Sequence, residues 1–325
     1  MIREKFKNKT IAFFGASLTE EGGFCANIRS YFRENDVKTV VFNRGVGGTR
    51  AYMALYMMEE EIFYLKPDIV FIQYAANDIG IWLYDGNKPV TEGVLEARRK
   101  RDEECFNSLK KICEILISKG IEPILVSPIA TNELLIEKEN IKTIADNKEK
   151  EDLLGPSFYT RKTFRNINNA LREYEKRYNQ IAKELGIEVV NMFSYTYKAI
   201  YEKEGLVGED AIHYTEKGQK VLTNCLLNFI GEENYIEDFK SYPDLEEARE
   251  VEKILRILEG FKRATLMPEN VNPKITDEEV MAKIKVNKDN KSLWNYQRLQ
   301  IADMYYGKIQ EIKQKEMQAI RELAK

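Results

Sequence analysis

His213 is the only histidine in this chain of 325 residues, so proton transfer by an imidazole near neutral pH falls on this residue alone. Asp210 lies three residues upstream, in what reads as the same loop. A carboxylate there can accept the proton of one ring nitrogen, fix the tautomer and leave the other nitrogen as a base. The alternative is a surface or capping histidine, because an aspartate near a histidine is common and catalysis needs a further group.

Ser17 is a candidate for that further group. It follows the apolar run at residues 11–14, where a predicted strand gives way to a helix. Ligands bind at the carboxyl edge of the strands in open α/β sheets. A helix N-terminus also offers backbone N–H groups that can stabilise a developing oxyanion. The alternative is that Ser17 caps the helix, a role that serine often fills.

Two further turns carry residues suited to ligand binding. Residues 43–49, which we call the glycine turn, include Gly45, Gly47 and Gly48, and glycines let backbone N–H groups approach a ligand closely. The glycine turn lacks the spacing of a dinucleotide fingerprint or a phosphate loop. Asn77 follows the third predicted strand and supplies an amide donor, although asparagine also suits a plain turn.

The elements that must position these residues follow from the hydrophobic pattern. Between residues 10 and 230 short β-rich runs alternate with helical patterns, which predicts a parallel sheet covered on both faces. The mostly apolar strands are predicted at residues 10–14, 39–42, 68–74, 123–126 and 188–193. Helices are predicted at residues 24–35, 51–65, 94–119, 166–185 and 215–229. The candidate residues therefore fall at the functional edge of one sheet.

Two regions depart from this alternation. Residues 131–165 form a long polar connection after a strand end, which we interpret as a lid. After residue 237 the pattern predicts a charged amphipathic helix at residues 246–262 and a single long helix at residues 292–324. Its apolar face can pack on its own domain, on a second subunit in a homo-oligomer, or on another protein.

Composition excludes several classes of function. The 50 Lys and Arg nearly cancel the 53 Asp and Glu, and a net charge of -3 provides no basic field for nucleic acid or for a membrane surface. Small-molecule or protein partners are therefore favoured. The four cysteines form no CxxC pair, which argues against a disulfide scaffold or a thiolate zinc site. Without a signal peptide or a run of ~20 apolar residues, we expect a cytoplasmic protein.

Four groups of residues carry a resemblance to a known family: those around Ser17, the glycine turn, those around Asn77, and Asp210 with His213. Together they resemble the SGNH branch of the GDSL hydrolases, over about residues 8–230. This resemblance implies that Ser17 is the nucleophile, His213 its general base and later acid, and Asp210 the residue that orients the imidazole. It also implies an oxyanion hole made by the backbone N–H groups of Ser17 and Gly48 and the side-chain amide of Asn77.

The resemblance also implies a fold, a flavodoxin-like three-layer α/β/α sandwich with a five-stranded parallel sheet. We assign residues 1–236 to this hydrolase domain and residues 237–325 to a helical C-terminal extension. Two residues depart from the family pattern: Ala16 replaces the aspartate of GDSL, and Ala75 replaces the glycine of GxND. Neither change removes a catalytic group.

The predicted function is hydrolysis of a small acyl ester, notably an acetyl ester of a carbohydrate, with no metal or cofactor. The alternatives are an O-acyltransferase that uses the same triad, and an interaction protein with a hydrolase-like scaffold. Trp82 and Tyr84 are candidates to stack on a sugar ring, or else they pack in the core or a lid. Arg50 is a candidate contact for an anionic substrate, or else a solvated surface arginine.

Overall fold

The computed structural model describes residues 2–84, 90–133, 166–208, 212–266, 301 and 304–324, with backbone only for Trp82 and residues 261–266. Its sheet has five parallel strands in the order β2-β1-β3-β4-β5. The strands are Thr10–Gly15 (β1), Val40–Gly45 (β2), Ile69–Gln73 (β3), Glu122–Val126 (β4) and Glu188–Val190 (β5). This is the predicted α/β fold.

Helices cover both faces of this sheet. In the described part of the chain they are Ser17–Glu20 (α1), Gly23–Glu34 (α2), Ala51–Glu61 (α3), Glu92–Ser118 (α4), Ile167–Leu185 (α5), Met192–Glu202 (α6), Glu216–Ile230 (α7), Pro243–Leu266 (α8) and Ile309–Glu322 (α9). Each helix predicted between residues 24 and 229 is present, with ends that differ by a few residues. None of these helices combines the length and the apolar character needed to cross a membrane.

The central strands set the position of the functional edge. Phe13 of β1 and Phe71 of β3 stack with ring centroids 4.7 Å apart, and both are buried. In the strand register Gly15 lies level with Gly45 of β2 and with Gln73 of β3. The chain leaves β1 toward β2 on one side and returns to β3 on the other. The carboxyl ends of these three strands therefore meet at a topological switch point, where such sheets bind ligands.

The structure differs from the sequence expectations at several element boundaries. β2 runs to Gly45, so the first three residues of the glycine turn belong to this strand. β5 ends at Val190, and the apolar residues that follow begin helix α6, because a short apolar run does not distinguish a strand from a buried helix. The helix expected at residues 292–324 is interrupted at Tyr306–Lys308 by a 3-10 turn that contains Gly307, a residue with low helix propensity. The lid expected at residues 131–165 lies outside the described residues beyond Glu133.

Helices α8 and α9 pack on the open side of β2 through a layer of buried charges. The α/β part contributes two cations and one anion, and the two helices contribute two cations and three anions, so the charges balance. We call this set the ion-pair layer; its members are Arg29, Arg44, Glu61, Glu252, Arg256, Glu259, Lys313 and Glu316. The sequence leaves open whether these helices pack on their own domain, on a second subunit or on another protein. Their described parts pack on their own domain.

Candidate active site

Ser17 and His213 meet although 196 residues separate them. The distance between Ser17 Oγ and His213 Nε2 is 2.9 Å, and both residues are half-buried. Ser17 is the first residue of α1, whose N-cap is Ala16, and no side chain caps this helix. The Ser17 hydroxyl therefore contacts the imidazole and does not serve as a helix cap.

The turn that carries Ser17 sits directly on the end of β2. A Cβ atom at Gly45 would collide with the backbone of Glu20, so only glycine permits this close approach of α1 to the strand. On the other side, Thr19 Oγ1 donates to Gln73 Oε1 of β3 at 2.9 Å, inside the protein. Contacts on both sides of β1 thus hold Ser17 at the switch point.

A short loop before α7 presents His213. Val207 and Tyr214 form an antiparallel bridge, and the Gly208 N–H donates to the His213 carbonyl at 2.7 Å. The Tyr214 hydroxyl donates to the carbonyl of Ala130, beyond the end of β4, at 3.0 Å. Asp210, the predicted third member of the triad, lies outside the described residues.

Asn77 forms a hydrogen bond to the glycine turn. One hydrogen of Asn77 Nδ2 is donated to the Thr49 carbonyl at 2.9 Å. Gly48 is exposed and has φ +71°, a left-handed conformation that favours glycine. Within the described part of the chain, the N–H groups of Ser17 and Gly48 and the second Nδ2 hydrogen of Asn77 donate to no other group. Three donors are thus left for a ligand at neighbouring strand ends.

Asp78 connects the turn at residues 75–78, which we call the Asn77 turn, to the start of α3. It is 2% exposed, and its two carboxylate oxygens accept the N–H groups of Ala51 at 2.8 Å and Ala75 at 3.0 Å. Burial raises the pKa of Asp78 to about 6, against the opposing effect of these two N–H groups and of nearby arginines. No role for Asp78 is predicted from the sequence, where its place beside Asn77 is the only signal.

Ala75 lies where the family pattern has glycine, and its backbone has φ +98°. A Cβ atom disfavours this region by about 1–2 kcal/mol. The Asp78 carboxylate bond to the Ala75 N–H helps to stabilise the unusual conformation. The local backbone therefore keeps the shape expected for glycine although the residue is alanine.

Arg101 clamps the same turn from helix α4. Its Nη2 donates to the Asn77 carbonyl at 2.7 Å, and its Nε donates to the Asp78 carbonyl at 2.8 Å. Sequence reasoning missed this residue because an arginine in a charged helical stretch resembles any solvated surface arginine. Only the packing of α4 against the Asn77 turn gives Arg101 two backbone acceptors.

Two of the predicted substrate contacts have protein partners. Arg50 Nη1 lies 3.1 Å from a carboxylate oxygen of Glu104, and its guanidinium lies 4.3 Å from the ring centroid of Tyr52. Tyr84 is buried, with the Arg98 guanidinium 3.9 Å from its ring centroid. The Trp82 side chain lies outside the description. Substrate contact by these residues stays a prediction.

The described residues include no cluster of three or more His, Cys, Asp or Glu side chains placed to hold a metal ion. The four cysteines are buried free thiols.

Comparison with known proteins places this chain in a family. The model of the GDSL-like lipase/acylhydrolase family matches residues 13–221. A comparison with curated protein sequences finds none that matches the chain. Among solved structures, a gut microbial diltiazem-metabolizing enzyme is similar, with a TM-score of 0.69 at 13% identity over 98% of this chain and 94% of that one.

A second similar structure is Axe2, an acetylxylan esterase from Geobacillus stearothermophilus, with a TM-score of 0.51 at 18% identity over 71% of this chain and 98% of that one. At these identities the two structural likenesses show the shared fold. The family match itself extends over well more than half of the chain. The chain therefore belongs to the GDSL-like lipase/acylhydrolase family and is a carboxylic ester hydrolase.

Proposed function

We propose that the chain hydrolyses esters of small acyl groups with Ser17 as the nucleophile, His213 as the general base and then acid, and Asp210 as the residue that orients the imidazole. The observation that carries this proposal is the 2.9 Å separation of Ser17 Oγ and His213 Nε2. At that distance the imidazole can take the hydroxyl proton as the oxygen attacks a carbonyl carbon.

The proposed reaction has two halves. Ser17 Oγ attacks the ester carbonyl, His213 Nε2 accepts the hydroxyl proton, and a tetrahedral oxyanion forms. The oxyanion collapses as His213 donates the proton to the leaving alcohol, which leaves an acyl group on Ser17. Water then attacks the acyl-enzyme with His213 again as the base, and the carboxylic acid is released.

We assign the oxyanion hole to the N–H groups of Ser17 and Gly48 and the Nδ2 amide of Asn77. These donors support the assignment because the described part of the chain provides none of them with another acceptor for the hydrogen in question. The Asn77 amide is held before substrate arrives by its hydrogen bond to the Thr49 carbonyl, next to Gly48, and the buried Asp78 carboxylate holds the N–H of Ala51. Preorganised donors of this kind stabilise charge without a cost of reorganisation during the reaction.

For the substrate we propose an acetyl ester of a carbohydrate. The similarity of fold to Axe2, an acetylxylan esterase, supports this choice. A panel of acetylated sugars and short p-nitrophenyl esters tests it, and added alcohol acceptors distinguish hydrolysis from acyl transfer.

The assignment of roles is tested by Ser17→Ala and His213→Ala on that panel. His213→Ala should lower kcat by about 10⁴–10⁶, because the chain has no second histidine to compensate. Ser118→Ala, at an exposed serine of α4, is the matched control and should behave as the wild type. A fluorophosphonate probe should label the wild type and Ser118→Ala and should leave Ser17→Ala unlabelled. Near-normal hydrolysis by His213→Ala, or failure of the probe to label the wild type, would contradict the proposal.

A further inference from the structure

The open edge of β2 is covered by charged side chains. Among the described strands β2 pairs only with β1, so alternate residues of β2 direct their backbone groups away from the sheet. The Val41 carbonyl accepts from Arg29 Nε at 2.9 Å and from Arg29 Nη2 at 2.6 Å. Two residues later the Asn43 N–H donates to Glu252 Oε1 at 3.1 Å. Side chains thus replace the water that normally solvates an edge strand.

The glycine turn itself contributes a cation to this cover. Arg44 is fully buried, and its Nη1 donates to Glu316 Oε1 of helix α9 at 2.8 Å, while its Nη2 donates to the other oxygen of the same carboxylate. Nη1 also donates to the carbonyl of Asn43 at 3.2 Å. A bidentate pair fixes direction as well as distance, so α9 restrains the strand end at Arg44.

The charges of the two parts are complementary. Without α8 and α9, Arg29 and Arg44 would lose Glu252 and Glu316, the carboxylates that pair with them. A buried charge that loses its partner is strongly unfavourable. The buried charges of α8 and α9 therefore match those of the α/β part, and the position of the glycine turn depends on these two helices.

From these contacts, and on the basis of the function proposed above, we propose that helices α8 and α9 position the glycine turn for catalysis. Glu252 and Glu316 act as positioning residues: they hold Asn43 and Arg44, which precede Gly48 by five and four residues in the glycine turn. On the other side of the glycine turn, the Asn77 amide fixes the Thr49 carbonyl. The Gly48 N–H is thus held from two sides, by helices α8 and α9 and by the Asn77 turn. Displacement of either support misaligns this donor.

The test uses conservative variants of the full-length chain. Glu252→Asp and Glu316→Asp keep the negative charge but withdraw each carboxylate by one methylene. The matched control is Glu311→Asp, because Glu311 is an exposed residue of α9 that pairs with Lys315 of the same helix at 2.8 Å. The concentration of competent sites is measured by fluorophosphonate titration, so loss of folded protein does not count as loss of turnover.

For Glu252→Asp and Glu316→Asp we expect kcat per titrated site to fall about tenfold with KM changed less, the size expected when a reacting group is misplaced by a fraction of an ångström. Hydrogen–deuterium exchange should accelerate about tenfold in a peptide that spans residues 43–49. Glu311→Asp should show neither effect. Unchanged kcat per site, or unchanged exchange in residues 43–49, would overturn the proposal.

A measurement on the wild type keeps the proposal testable if a variant does not fold. In increasing urea below the unfolding transition, residues 43–49 should lose protection together with α8 and α9. Protection of the glycine turn that persists after these helices have opened would refute the proposal. If the wild type and Ser17→Ala hydrolyse all esters equally slowly, the proposed function fails, while the exchange data still decide whether α8 and α9 hold the turn.

Discussion

Replacement of Asn77 by alanine tests whether this residue donates to the oxyanion or only stabilises the turn. In the structure one Nδ2 hydrogen of Asn77 is donated to the Thr49 carbonyl at 2.9 Å, and the second donates to no group in the described part of the chain. Loss of an oxyanion donor costs about 10²–10³ in kcat, or roughly 3–4 kcal/mol of transition-state stabilisation. Loss of the half-buried bond to Thr49 costs about 1 kcal/mol of folding free energy. The backbone of the turn should persist, because Arg101 still donates to the Asn77 and Asp78 carbonyls.

The assay measures kcat and KM on p-nitrophenyl acetate per fluorophosphonate-titrated site, together with urea unfolding. We expect Asn77→Ala to lower kcat about 100-fold or more with little change in KM, because the donor acts on charge that is present only in the transition state. Asn77→Asp should be slower still, since a carboxylate would face both the oxyanion and the Thr49 carbonyl.

The matched control is Asn191→Ala, at an exposed asparagine that follows β5, the strand at the far edge of the sheet. This variant should retain wild-type kcat. If Asn77→Ala also retains wild-type kcat while losing about 1 kcal/mol of stability, Asn77 is a turn residue only and the oxyanion assignment is refuted.

Three further predictions concern the same turn. Because Ala75 has φ +98° and Ala54 lies buried within α3, we expect Ala75→Gly to cost about 1–2 kcal/mol less unfolding free energy than Ala54→Gly, and equal losses by urea denaturation would exclude strain at Ala75. Burial raises the pKa of Asp78 to about 6, so between about pH 4 and pH 6 the folded state holds a proton that the unfolded state releases, and the contribution of Asp78 to stability declines as pH rises through this range. The stability deficit of Asp78→Asn relative to the wild type should therefore shrink by about 2–3 kcal/mol between pH 4 and pH 7. A deficit that stays constant over this range would contradict the raised pKa. Arg101→Met should lower kcat about tenfold with a smaller change in KM. Arg101→Lys should lower kcat as well, because one ammonium does not reproduce two fixed donors to the carbonyls of Asn77 and Asp78. Full activity in Arg101→Lys would show that the positive charge alone suffices.

The layered α/β architecture can be predicted from the amino-acid sequence, because the evidence for it is local. Apolar runs such as the one around Phe13 and Phe71 identify strands buried on both faces, and helical periodicity between them implies a parallel sheet. Since parallel strands end at one edge, the same pattern placed Ser17, the glycine turn and Asn77 close together before any contact was known.

The charged residues that support these groups can be identified only from the packing of the folded chain. Arg44 and Glu316 are 272 residues apart, and neither carries a sequence signal of burial, because arginine and glutamate usually remain in water unless a partner is present. The same holds for Arg101, whose acceptors are backbone carbonyls on another element. The stability of a buried charge depends on a partner brought close by packing, and such pairings are a property of the folded chain and not of any local run of residues.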